Sequence, residues 1–113
     1  MHRVFTRILQ KEGYTVETAE TGSEALKKIE NSTFDVALID VKLPDINGLD
    51  LLPILQKTAP AMVKIVITGY SLSEGRPGAL RLGADEYFKK PIPPPELLKA
   101  IKEKLDDRNK NTK

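Results

Sequence analysis

Two nearly continuous aliphatic runs constrain this chain more than any other feature: Val36-Ala37-Leu38-Ile39, and Met62 to Ile67, interrupted only by Lys64. Strands this apolar are buried on both faces, and helical patterns stand between and around them. Val4, Phe5, Ile8 and Leu9 fall at helical spacing from near the first residue, and Gly13 ends that segment as a C-cap. Tyr14 to Ala19 alternates with period two and reads as a strand with one covered face. Thr21-Gly22-Ser23-Glu24 supplies the cap and the early acid of a second helix carrying Ala25, Leu26 and Ile29. After the Asp40 strand, Leu49 to Lys57 reads as a third helix, in which Pro53 is harmless only within the first turn.

The second half repeats the alternation. Leu72 to Leu82 takes a helix by its place in the pattern, although Gly75, Pro77 and Gly78 make it the weakest one. Tyr87-Phe88 form a short strand closed by Lys89-Lys90-Pro91, and Pro95 to Leu105 is a final helix with apolar Leu97, Leu98, Ile101 and Leu105. Strands alternating with helices give an open α/β sheet covered on both faces. Residues 1–105 are one domain, and 106–113 a polar tail.

Composition narrows the chemistry. No cysteine is present and His2 is the single histidine, so thiolate nucleophiles, disulfides, histidine dyads and most zinc sites are excluded. The 18 basic residues are interleaved with 16 acidic ones for a net charge of +2, which gives no stripe for nucleic acid. No apolar run has the length of a membrane span and no signal peptide is visible, so the expected compartment is the cytoplasm.

Open α/β sheets bind and react at the carboxyl ends of their strands. Asp40 ends one strand, Thr68 the next and Lys90 the last. Each alone has a plain reading: Asp40 as a turn or helix cap, Thr68 before Gly69 as a turn residue, Lys89 or Lys90 as a solvated surface lysine. Together they put a carboxylate, a hydroxyl and an ammonium at one end of one sheet.

Asp40…Pro44…Gly48 after a buried strand, then "VITGYS" with Thr68, then "LGADEYFKKPI" with Tyr87, Lys90 and Pro91, resemble the receiver domain of two-component response regulators from Met1 to about Leu105. The resemblance implies the flavodoxin-like (βα)5 fold with strand order 2-1-3-4-5. It implies that Asp40 takes a phosphoryl group from a sensor histidine kinase, a phosphotransfer protein or a small phosphodonor, with Lys90 and Thr68 as the catalytic partners. By the same resemblance Thr68 and Tyr87 form the switch, Lys90-Pro91 is the family's cis junction, and a downstream effector reads the face made by the family's fourth helix, fifth strand and fifth helix. The protein is then a signalling switch rather than a turnover enzyme.

The family holds Mg²⁺ with the phosphorylated aspartate, a backbone carbonyl that here matches Lys42, and an acidic pair at the end of its first strand. This sequence starts inside the first helix, so that strand and the acidic pair are absent. Asp45, Asp50, Asp85 and Glu86 belong to other loops and helices and do not replace the pair. Asp40 alone is a poor site for a hard cation, and phosphotransfer is expected to be weak or nil. The absent strand is the central one of the family order, between the segments at Tyr14 and Val36. Losing its four or so buried side chains removes on the order of 6 to 12 kcal/mol, so the gap is expected to close by register change, strand exchange or homodimerisation.

Two other enzyme-like classes fail on single features. A haloacid-dehalogenase phosphatase wants a second aspartate where Lys42 stands, and a nucleotide-binding domain wants a glycine-rich phosphate loop that this chain lacks. The remaining rival is a pseudo-receiver, an interaction module that works without phosphorylation.

Overall fold

The computed structural model describes residues 2–41, 44–69, 75–90 and 92–110. Helix α1 spans His2–Lys11, α2 Gly22–Asn31, α3 Gly48–Thr58, α4 Gly75–Arg81 and α5 Pro94–Lys110; strands β1, β2 and β3 span Val36–Asp40, Val63–Thr68 and Glu86–Lys89. The strands form one parallel sheet in the order β1-β2-β3. Val36 pairs with Val63 and Asp40 with Ile67, while Val66 pairs with Tyr87 and Thr68 with Lys89.

The sheet is the middle of three layers, which is why β2 reads as an aliphatic run: all six of its residues are buried. Successive side chains point to opposite faces. Val63, Ile65 and Ile67 enter a cluster with Leu97 and Ile101 of α5, against which Leu9 of α1 packs. Val66 enters another with Leu51, Leu52 and Leu55 of α3 and Ala79 of α4, covered by Leu26 and Ile29 of α2. Lys64, the one charge in the run, is 2 % exposed and donates from Nζ to the Met62 carbonyl at 2.8 Å.

The helix ends follow local chemistry. Gly13 has φ +93°, its N–H donates to Gln10 O and the Tyr14 N–H to Leu9 O, so two terminal carbonyls of α1 are satisfied by a left-handed residue that a Cβ would disfavour. Thr21 caps α2 by accepting from the Glu24 N–H. Pro53 lies inside α3 beyond its first turn and is exposed, yet the helix continues to Thr58. Leu51, Leu52 and Leu55 bury the opposite stripe and outweigh the one backbone bond that proline removes. In α4, Pro77 falls in the first turn, where its missing N–H costs nothing. Of the stretch expected to be helical from Leu72, residues 72–74 lie outside the described residues. The last helix runs past Leu105 to Lys110 and takes up part of the polar end.

One element departs from the sequence reading. Tyr14 to Ala19 is not a strand. A strand needs a neighbour about 4.8 Å away to receive its backbone bonds, and a cavity of about 600 Å³ separates this segment from β1. The segment is held instead by Lys28 of α2, whose Nζ donates to the Thr18 carbonyl and lies 3.8 Å from Glu17. The expected closure of the gap by register change does not occur, because β1 keeps a regular five-residue ladder with β2.

Candidate functional site

Each strand delivers one group to the carboxyl end of the sheet. Asp40 is the last residue of β1, Thr68 the last of β2, and Lys90 follows β3. Lys90 is locked by its backbone, since its N–H donates to the Thr68 carbonyl at 2.7 Å and extends the β2–β3 pairing by one bond. From there its side chain passes beside Gly69 and sets Nζ 3.0 Å from Asp40 Oδ2. The Asp40 side chain is 19 % and the Lys90 side chain 28 % exposed, so the pair is partly screened from water but still reachable.

Thr68 stands one residue beyond Ile67, the partner of Asp40, and is fully buried. By strand alternation its side chain shares a face with Val66, whose partner across β3 is Tyr87. Tyr87 is partly buried and packs against the same core cluster as Val66. The sequence-predicted residues therefore fall into two groups joined through the Thr68 backbone: Asp40 with Lys90, and Thr68 with Tyr87. Lys42 and Pro91 lie outside the described residues, as does any statement about the Lys90-Pro91 junction.

Gly48 explains the motif in which it stands. Its N–H donates to Val41 O at 2.7 Å, and a Cβ there would collide with the Asp40 carbonyl. The start of α3 is thereby pressed against the backbone that carries Asp40. Asn47 caps that helix, its side chain accepting from the Leu49 N–H at 2.8 Å.

The acids without a role in the sequence reading now have places. Asp45 accepts from the N–H groups of Gly22 and Ser23 at 2.8 and 3.0 Å, and these two bonds hold its carboxyl below the usual carboxylate range. The link ties the loop after β1 to the start of α2. Its sequence signal was confined to the cap at Thr21, because a contact between residues 22 and 45 has no local pattern. Asp85 accepts from the Lys64 N–H at 2.8 Å, at the amino end of β2 and away from Asp40.

Among the described residues no three acidic or imidazole side chains converge on a point where a metal ion could sit. Asp40 is already paired with Lys90, and Asp45 is turned to α2. These residues do not by themselves fit a divalent cation. No helix of the described residues is long and apolar enough to cross a membrane.

A parallel sheet between helices, with an aspartate and a lysine meeting at its carboxyl end, places the chain in the class of open α/β domains whose sites lie at the strand ends. The sequence profile of the response regulator receiver domain matches residues 1–102, and the chain belongs to that family. Over 106 residues it is 33% identical to the alginate biosynthesis transcriptional regulatory protein AlgB of Pseudomonas putida, covering 94% of this chain and 24% of that protein. The chain thus spans about a quarter of that relative's length. A CheY-like response regulator receiver domain protein from Methanospirillum hungatei is 48% identical with a TM-score of 0.92, over 96% of this chain and 87% of that one. A response regulator from Burkholderia pseudomallei, solved with a phosphorylated aspartic acid and a calcium ion, is 29% identical with a TM-score of 0.84, over 94% of this chain and 62% of that one.

Proposed function

We propose that this receiver domain accepts a phosphoryl group on Asp40 and relays its presence through Thr68 and Tyr87 to the face formed by α4, β3 and α5. The observation that carries the reading is the 3.0 Å approach of Lys90 Nζ to Asp40 Oδ2 at the carboxyl end of the sheet. The phosphorylated aspartic acid of the Burkholderia pseudomallei regulator supports the same chemistry here.

The step is a displacement at phosphorus. An Asp40 oxygen attacks, a P–O bond forms, and the P–N bond of a phosphohistidine donor on a sensor kinase or phosphotransfer protein breaks, its electron pair returning to the imidazole. Such transfers need positioning and positive charge around the equatorial oxygens. Lys90 supplies a fixed positive charge, and its backbone bond to Thr68 keeps it in place without reorganisation. The Thr68 hydroxyl is the donor on the neighbouring strand, and its shift toward the phosphoryl group vacates space that the Tyr87 ring enters. Efficient transfer is expected to depend on a cation site that the described residues do not by themselves complete. The protein is a switch read by a downstream partner, and its expected compartment is the cytoplasm.

Incubation with Mg²⁺ and acetyl phosphate followed by intact-mass measurement tests the reading. A mass gain of one phosphoryl group that disappears in Asp40→Asn supports it. No gain even after prolonged incubation at high donor concentration favours the pseudo-receiver, which binds partners without phosphorylation.

A further inference from the structure

The chemistry proposed at Asp40 makes no use of Asp45, yet this carboxylate grips a helix 22 to 23 residues away in the chain. At the start of α2 the N–H groups of Gly22, Ser23 and Glu24 precede the first intrahelical bond, from Ala25 to the Thr21 carbonyl, and need partners from elsewhere. Thr21 serves one of them, its hydroxyl accepting from the Glu24 N–H. Asp45 serves the other two: Oδ1 accepts from Gly22 at 2.8 Å and Oδ2 from Ser23 at 3.0 Å. Both oxygens of one carboxylate are thus committed to adjacent amides, at the end of a helix whose dipole favours negative charge.

The same short segment is fixed at its far end to the backbone of Asp40. Gly48 donates its N–H to Val41 O at 2.7 Å, and it lies so close to the Asp40 carbonyl that a Cβ would collide with it. Between these points Ile46 packs as tightly on Gly22, where a Cβ would strike its Cγ2, and Asn47 caps α3. Residues 45–48 therefore form a strut with α2 at one end and the Asp40 backbone at the other. The ladder with Ile67 holds Asp40 within the sheet, and the strut holds it from beyond the strand end. Without the Asp45 bonds the α2 end of the strut keeps the apolar contact of Ile46, which has no directional preference. The paired, charge-assisted bonds supply the direction.

We infer that Asp45 is a positioning residue for the Asp40 site: its two bonds to the start of α2 set the place of the backbone that carries the attacking carboxylate. The inference rests on the phosphoacceptor reading for its consequence in rate, while the positioning itself is measured without phosphate. An attacking group misplaced by about 1 Å loses on the order of 10²-fold in rate, so a strut loosened by less than that still shows in the kinetics.

The test compares the parent chain with Asp45→Ala, Asp45→Asn and Thr21→Ala. Thr21→Ala weakens the same helix start by removing the Glu24 bond but leaves the strut intact, so it controls for lost stability. Amide exchange at Gly48 reads the strut directly, and phosphoryl uptake over a range of acetyl phosphate concentrations reads its effect on rate. In Asp45→Ala the Gly48 amide is expected to exchange about tenfold faster. The maximal rate of uptake is expected to fall about tenfold, with the donor concentration for half-maximal rate unchanged. Asp45→Asn, whose amide oxygen keeps one acceptor, should lie between, and Thr21→Ala should match the parent chain in both readouts. Gly48 exchange unchanged in Asp45→Ala, or accelerated equally in Thr21→Ala, overturns the inference. So does an unaltered maximal rate in Asp45→Ala while the parent chain is phosphorylated. A parent chain that gains no phosphoryl group speaks against the phosphoacceptor reading instead, and Gly48 exchange then decides the positioning.

Discussion

The Lys90 ammonium lies 3.0 Å from the Asp40 carboxylate although 50 residues separate them in the chain. The contact spans the sheet from the end of β3 to the end of β1, passing over the end of β2. Three strands must be in register for it to form. It makes the site a reporter of the fold as well as the proposed place of phosphoryl uptake.

Replacing Lys90 by Met keeps the stem that passes Gly69 and removes the charge. The rate of phosphoryl uptake from acetyl phosphate is expected to fall by about 10²- to 10³-fold, the range for losing one fixed electrostatic stabiliser. Unfolding stability should drop by only about 1 kcal/mol for the lost charge-assisted bond. Urea titration beside the mass assay separates the two effects.

Thr68→Val preserves volume in a fully buried position and removes the hydroxyl. Phosphoryl uptake is expected to persist while the response of Tyr87 is lost. Tyrosine ring resonances, compared before and after phosphodonor addition, should shift in the parent chain and stay fixed in the variant. A shift of equal size in both would detach Thr68 from the switch.

At Gly48 the added methyl of Gly48→Ala meets the Asp40 carbonyl. Overpacking of this kind costs about 1 to 3 kcal/mol, and here the backbone that yields carries Asp40, the proposed phosphoacceptor. A lowered urea midpoint together with slower phosphoryl uptake is expected. Ala substitution at exposed Gly69, where a Cβ meets only the Lys90 stem at 3.8 Å, should leave the midpoint nearly unchanged.

Asp45 sets an acid limit on stability. Its folded carboxyl titrates below the ordinary value of 3.8, so the unfolded chain binds the proton more readily. The stabilisation is complete above that ordinary value and is lost as pH falls through the lower folded value. Asp45→Asn should therefore flatten the decline in Tm below about pH 4. A decline identical to that of the parent chain would remove Asp45 from the acid response.

Lys64 acts in the opposite pH range. Burial pushes its ammonium below the ordinary 10.5, with the Asp85 carboxylate opposing the shift. The unfolded chain again holds the proton more tightly, so the parent chain gains stability as pH rises from the lowered folded value toward 10.5. Lys64→Met should change stability at neutral pH by no more than about 1 kcal/mol, since apolar replacement offsets the lost bond to Met62. The alkaline gain should vanish in that variant, as thermal unfolding between pH 7 and 10.5 will show.

Much of the fold was legible because its cause is local. The helical spacing before Gly13, the cap at Thr21 and the aliphatic runs at Val36 and Val63 each carry their reason within a few residues. Asp40, Thr68 and Lys90 were legible as strand-end residues, because parallel sheets gather such ends in one place. What escaped was long-range. Asp45 reaches α2 across 23 residues, and nothing in the loop's own sequence marks that partner.

The sequence by itself determined the order and type of the elements other than Tyr14 to Ala19, and the chemical groups at the strand ends, since periodicity, caps and turn residues act over one or two turns of chain. Only the tertiary structure decided that Lys90 meets Asp40 directly, that Thr68 joins them through its carbonyl, and that Tyr14 to Ala19 stays unpaired beside an open edge of β1. Pairing is a relation between distant segments. A strand-like pattern becomes a strand only when another backbone lies close enough to share its hydrogen bonds.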